Sequence, residues 1–186
     1  MRRHLPNIVT ALRIAATALL GWLAAVHRQD AFAAILIACL VGDVVDGVLA
    51  RALGAETTAG AQLDSIADTL LFFMAIVGVL VFHPEAVRAY AGAFTVVPAA
   101  WLAENVAALA RYGRLSSFHT YLSRAAAVAM GLFIAVLFAW GIQPLLLYIA
   151  AALVLVATAE ELVLLWMLPE WTANVRGVLW VRRRQV

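Results

Sequence analysis

Long apolar runs separated by short polar breaks set the pattern of this chain. The runs cover about residues 8–26, 31–50, 60–82, 86–109, 122–140 and 145–168. The breaks between them are His27-Arg28-Gln29-Asp30, Arg51 to Ala59, His83-Pro84-Glu85, Arg111 to Arg124, and Gly141-Ile142-Gln143-Pro144. Each run approaches or exceeds the ~20 residues that carry a helix across ~30 Å of hydrocarbon. The pattern predicts an all-α integral membrane protein with six transmembrane helices. A short basic N-terminal segment precedes them, and an interfacial C-terminal segment follows, where Trp171 and Trp180 lead into Arg182-Arg183-Arg184. With no internal repeat and no low-complexity linker, residues 1–186 read as a single membrane domain. The first run also has the outline of a cleaved leader, but its length and the topology of the following runs favour a retained span.

Composition agrees with this reading: 66% of residues are hydrophobic, 13% are charged, and mean hydropathy is +0.96. A soluble domain carries about 25% charged residues. The single cysteine, Cys39, excludes an intrachain disulfide and a cysteine-based metal site. All thirteen basic residues are Arg. Six spans bring both termini to one side, with Arg2, Arg3, Arg13, Arg51, Arg111, Arg114, Arg124, Arg176, Arg182, Arg183 and Arg184, against Arg28 and Arg88 opposite. The positive-inside rule makes the richer side cytoplasmic. The arginines read as topology markers and lipid-phosphate contacts; no nucleic-acid-binding motif is present.

Against this apolar background one stretch stands out. Asp43, Asp46, Asp64 and Asp68 lie in or beside the second and third runs, near the polar connector between them. Ionised carboxylates in a membrane segment are costly and need a compensating partner. Spacings of i,i+3 and i,i+4 put each pair on one helix face. Two such pairs on facing helices form a hard oxygen cage suited to Mg²⁺ or Mn²⁺, with four negative charges to match two divalent cations. The positive-inside reading places this end of the helices at the cytoplasmic face.

The stretch from Asp43 to Asp68 resembles, at every fixed position, the pattern D-x2-D-G-x2-A-R-x8-G-x3-D-x3-D of class I CDP-alcohol phosphotransferases, also called CDP-alcohol phosphatidyltransferases. The resemblance implies transfer of a phosphatidyl group from CDP-diacylglycerol to a small hydroxyl acceptor, with release of CMP, in phospholipid biosynthesis at the inner (cytoplasmic) membrane. It implies that Asp43, Asp46 and Asp64 hold one metal, and that Asp68 helps with a second and acts as general base. It also sets the nucleotide against Gly47, Ala50 and Gly60, whose small size permits close approach, with Arg51 available to a phosphate. Read without the family, such small residues are ordinary helix-packing positions. A homodimer, each subunit with its own site, is a further implication.

Arg111, Arg114, His119 and Arg124 are candidate acceptor-binding residues on the same side; the competing reading is anchorage to lipid headgroups. Pro6-Asn7-x2-Thr10-x2-Arg13 resembles phosphatidylglycerophosphate synthases, which makes glycerol 3-phosphate the first expectation for the acceptor. Asp64-Ser65-Ile66-Ala67-Asp68-Thr69 departs from the Asp-Pro-x-Ala-Asp-Lys of those enzymes. Ser65 is similar to phosphatidylserine synthases, although their following Ser-Phe-Gly is absent, and the arginine cluster suits an inositol phosphate. A different class is an ion-coupled or divalent-cation transporter, against which stand the lack of inverted repeats and the carboxylates' position near one face. Glu104, Glu160 and Glu161, also in apolar runs, are expected to serve interhelical hydrogen bonding or a dimer contact rather than catalysis.

Overall fold

A computed structural model describes the backbone of residues 5–53 and 58–182 and the side chains of residues 15–42 and 66–181. Among these residues every regular element is a helix. The chain divides into two compact units, Met1–Ala89 and Tyr90–Val186.

The first unit holds α1 (Leu5–Ala25), α2 (Gln29–Leu53), α3 (Thr58–Phe82) and the short α4 (Pro84–Ala89). Helix α1 packs against both α2 and α3, and α2 packs against α3. Leu20 and Leu23 of α1, Phe32 and Leu36 of α2, and Ala67, Leu71 and Val79 of α3 are buried. The helices carry apolar stretches over Ala15–Ala25, Gln29–Gly42 and Ile66–Phe82. Gly78 allows a close approach of α2 and α3: the Phe32 ring occupies the space that a Cβ at position 78 would need. The same ring tilts against Phe82 with centroids 5.3 Å apart. Full burial of one such side chain contributes about 1.5–3 kcal/mol.

The polar connector expected over 51–59 is shorter than its polarity suggested. Helix α2 continues through Leu53 and α3 resumes at Thr58. Ala50, Arg51, Ala52 and Leu53 are all strong helix formers, and the first weak one, Gly54, comes only afterwards. Ala50 and Arg51 are therefore helical, and Gly60 falls in the first turn of α3.

The second unit holds α5 (Ala91–Tyr112), α6 (Tyr121–Trp140), α7 (Pro144–Met167) and the short α8 (Val178–Arg182). Helix α7 packs against both α5 and α6, and α8 touches α7. Helices α5, α6 and α7 are each long and apolar enough to cross a membrane. Val106, Leu109, Val128, Leu132 and Val156 remain exposed, as lipid-facing positions require. Trp140, Leu145 and Tyr148 are exposed at one end of the α6–α7 hairpin and Trp166, 89% exposed, near the other. From Tyr148 to Trp166 the helix rises ~27 Å, close to the ~30 Å between interfacial aromatic belts.

The fourth apolar run does not fold as one helix. Helix α4 stops at Ala89, Tyr90 takes a non-helical φ of −123° and ψ of 33°, and α5 starts at Ala91. Gly92, a weak helix former, follows the break directly. Helix ends in this unit have local causes. Gly113 closes α5 at a left-handed φ of 67°, its N–H donating to the Leu109 carbonyl at 2.8 Å. Thr120 caps α6, its Oγ1 accepting from the Ser123 N–H at 3.0 Å. Pro144 opens α7.

The tail after α7 is more than an interfacial segment. Residues 171–176 run back along the α5–α6 loop, residues 113–120. The Asn174 N–H donates to the Ser117 carbonyl at 3.1 Å, Val175 N–H to the Phe118 carbonyl at 2.7 Å, and Tyr121 N–H to the Arg176 carbonyl at 3.4 Å. Phe118 and Val175 pack into a core with Ala108, Leu164 and Leu165. Leu179 and Trp180 of α8 remain exposed, as an interfacial segment requires.

Candidate functional site

The sequence-predicted residues fall into two groups. The aspartate group lies on α2 and α3. Asp43, Asp46, Gly47, Ala50 and Arg51 are helical positions of α2, and Gly60, Asp64 and Asp68 are helical positions of α3. Unbroken helix through both pairs keeps Asp43 with Asp46, and Asp64 with Asp68, on one face of their own helix. Measured from the ends where α2 stops and α3 starts, Asp43 and Asp68 each lie ~15 Å in, and Asp46 and Asp64 each lie ~10 Å in. The four residues thus lie at two matched depths on two helices that pack together.

Side-chain placement in this group is given for Asp68 alone, which is half-buried beside the fully buried Ala67. Side chains of Asp43, Asp46, Gly47, Ala50, Arg51, Gly60 and Asp64 lie outside the described residues, as do those of Pro6, Asn7, Thr10 and Arg13. Among the described residues no three His, Cys, Asp or Glu side chains group together. The donor set nevertheless fits a hard divalent cation: four carboxylates at helical spacing on two packed helices, with no cysteine in the pattern.

The basic group lies at the end of α5, in the following loop and at the start of α6, and the structure separates its members by what they touch. The Arg111 Nη2 donates to the Leu168 carbonyl at 3.2 Å, so this side chain ties α5 to the end of α7. The neighbouring Tyr112 hydroxyl donates to the same carbonyl at 2.7 Å. The Arg114 guanidinium lies 5.3 Å from the centroid of the Trp171 ring, whose Nε1–H donates to the Leu115 carbonyl at 3.0 Å. His119 has a left-handed φ of 47°, and its Nε2 is buried without a hydrogen-bond partner. The Arg124 guanidinium lies 5.8 Å from the Tyr121 ring centroid, and its Nη2 donates to Asn174 Oδ1 at 3.2 Å. Arg111 and Arg114 are exposed, whereas Arg124 is half-buried.

Two features here were not singled out as site residues by the sequence. Asn174 carries no motif; only its tertiary partners show its place. The acids in the apolar runs did carry a signal, their cost. Glu104 on α5 and Glu161 on α7 are 4% and 7% exposed and hydrogen-bond to each other. Ser116 Oγ donates to Glu161 Oε2 at 3.3 Å. The pair brings α5 and α7 together. Glu160 does something else: its Oε1 accepts from the Val178 N–H at 3.2 Å, fastening the start of α8. Contact between α5 and α7 is thus where Glu104 and Glu161 lie.

Comparison with known proteins bears on the α2–α3 pattern. The CDP-alcohol phosphatidyltransferase family model matches residues 3–170. The CDP-diacylglycerol–serine O-phosphatidyltransferase of Mycobacterium leprae (strain TN) is 32% identical over 118 residues, which is 63% of this chain and 36% of that protein. The match therefore spans about a third of the relative's length. No solved structure matches. With the family match extending over nearly its whole length, and the aspartate pattern carried on two packed helices, the chain belongs to the CDP-alcohol phosphatidyltransferase family.

Proposed function

We propose that this protein transfers the phosphatidyl group of CDP-diacylglycerol to a small alcohol and releases CMP. The observation that carries the reading is the complete Asp43-to-Asp68 pattern, on helices α2 and α3, in a member of this family. Asp43, Asp46, Asp64 and Asp68 would hold two Mg²⁺ or Mn²⁺ ions. When bound, these supply charge neutralisation at the diphosphate and stabilise the departing nucleotide. The chain's own groups do the rest. Asp68 takes the proton of the acceptor hydroxyl as its oxygen bonds to the phosphatidyl phosphorus and the bond to the CMP oxygen breaks. Gly47, Ala50 and Gly60 leave room for the nucleotide, and Arg51 pairs with a phosphate oxygen.

The acceptor is an alcohol with an anionic group. Among the basic candidates, Arg124 suits it best, because it stands at the start of a membrane-spanning helix. Serine is the acceptor favoured by the Mycobacterium leprae relative's name and by Ser65. Glycerol 3-phosphate is the second reading, favoured by Pro6-Asn7-x2-Thr10-x2-Arg13, and an inositol phosphate also meets the charge requirement. The protein crosses the cytoplasmic membrane six times, with its termini and aspartates on the cytoplasmic side, as the arginine distribution favours. It works as a homodimer.

Purified protein given CDP-diacylglycerol and Mg²⁺ should release CMP when supplied with one of glycerol 3-phosphate, serine, inositol or inositol 1-phosphate, and the active compound names the acceptor. Absence of release with all four, together with divalent-cation flux in vesicles, would replace this reading with a transporter.

A further inference from the structure

We propose that the tail beyond residue 170 is an anchor for anionic phospholipid, with Arg176 at the headgroups and Leu179 and Trp180 in the lipid beneath them. The family match ends at residue 170, so this surface is built by residues that the family pattern does not cover. The inference stands whatever the acceptor alcohol is. Residues 171–186 hold four arginines, Arg176, Arg182, Arg183 and Arg184, and no acid.

Helix α8 is apolar on two sides. Val178 and Val181 pack against the core that holds Phe118, Leu164 and Leu165, whereas Leu179 and Trp180 are 68% and 43% exposed. This uncovered pair adjoins α7, a helix long and apolar enough to cross a membrane, and lipid or protein must cover it. Charge decides between the two. A second copy of this chain docked face to face would set arginine against arginine. An anionic lipid surface instead meets the exposed Arg176 with phosphate while the aromatic and aliphatic side chains enter the interface.

The tail is held so that these side chains face one way. The Arg176 carbonyl accepts from the Tyr121 N–H, and Asn174 and Val175 donate to the Ser117 and Phe118 carbonyls. Glu160 Oε1 fastens the Val178 N–H, and Gly177, at a φ of 141°, leaves room for that carboxylate: a Cβ there would stand 2.8 Å from Oε1. The Trp180 ring stands edge-on to Tyr121, centroids 5.6 Å apart, at the start of α6. Trp180 thus shares its end of the α6–α7 hairpin with the exposed Trp166. The opposite end exposes Trp140, Leu145 and Tyr148 but carries no charge, since residues 125–159 include no acidic or basic side chain. Both ends can meet lipid, and only the tail's end can select for its charge.

The test places the full chain in lipid nanodiscs of phosphatidylcholine and phosphatidylglycerol at one fixed ratio, with bromine on the acyl chains of one lipid or of the other. Bromine quenches the tryptophans it touches. The Trp180 signal is the difference from Trp180→Phe, which keeps a ring against Tyr121, and the Trp140 signal is read in the same way from Trp140→Phe. Trp180 should be quenched more strongly when phosphatidylglycerol carries the bromine, and Trp140 equally by both lipids. Arg176→Gln should lower the phosphatidylglycerol preference at Trp180 by up to about five-fold, the effect of one arginine near a lipid surface, with the thermal unfolding midpoint unchanged. Adding Arg182→Gln, Arg183→Gln and Arg184→Gln should abolish the preference. Equal quenching of Trp180 by both lipids, or a preference that survives all four substitutions, would overturn the inference. So would an absence of quenching by either lipid, which would show that protein or water covers this face. None of these outcomes touches the transferase reading, which CMP release tests separately.

Discussion

In the N-terminal unit four aspartates recur at helical spacing on α2 and α3, while in the C-terminal unit Glu104, Glu160 and Glu161 each bond to a neighbouring group of the protein. Both sets place acids in apolar sequence, and a hydropathy profile treats them alike. What separates them is their spacing along the helices. The aspartates recur as two pairs at matched depth on packed helices, the spacing on which the proposed cation site rests. The glutamates each bond within their own unit, Glu104 with Glu161, Glu161 with the Ser116 hydroxyl and Glu160 Oε1 with the Val178 N–H, an arrangement that joins helices and tail. Acids that recur at helical spacing on two packed helices are therefore the candidates for chemistry, whereas Glu104, Glu160 and Glu161 hold helices and tail together.

The largest effect should come from breaking the first arrangement without altering shape. Asp43→Asn or Asp64→Asn should lower CMP release about 10²–10⁴-fold, the range expected when a group essential to the chemistry is lost, with the unfolding midpoint in detergent little changed. Near-normal turnover in either variant would remove that carboxylate from the reaction. The second arrangement responds in stability instead. Glu104→Ala should cost about 1–3 kcal/mol by leaving the buried Glu161 short of a partner, whereas Glu104→Gln, whose amide can donate to Glu161, should cost much less. Thermal unfolding that fell equally in both variants would show that the carboxyl pair is not the bond joining α5 to α7. Packing gives the smallest change. Gly78→Ala should cost about 1 kcal/mol as the Phe32 ring is displaced, and Phe32→Leu in the same background should recover part of it. No change in stability would mean that the α2–α3 contact adjusts freely.

The sequence-based expectations held best where the signal was local. The ends of α6 and α7 fall within a residue of the runs expected at 122–140 and 145–168, because Thr120, Gly141 and Pro144 mark them chemically. The connector between α2 and α3 was expected to be longer, since polarity at Arg51 and Thr58 was read as loop although both residues are helical. The break at Tyr90 lies inside an apolar stretch, where hydropathy has no contrast to show it. The aspartate pattern is a matter of residue type and spacing, and the helical course of α2 and α3 through it is what the structure adds. Asn174 and the course of the tail were not legible. Their positions depend on backbone bonds between segments about sixty residues apart, and backbone groups look the same in every sequence.

The central claim is that the α2 and α3 carboxylates form a two-cation site. Mn²⁺ binding to metal-stripped protein in detergent, followed by electron paramagnetic resonance, tests it most directly. The account predicts two Mn²⁺ per chain in the unaltered protein, and loss of at least one in Asp43→Asn and in Asp64→Asn, with both variants still folded. Equal Mn²⁺ binding by the unaltered protein and both variants would contradict it.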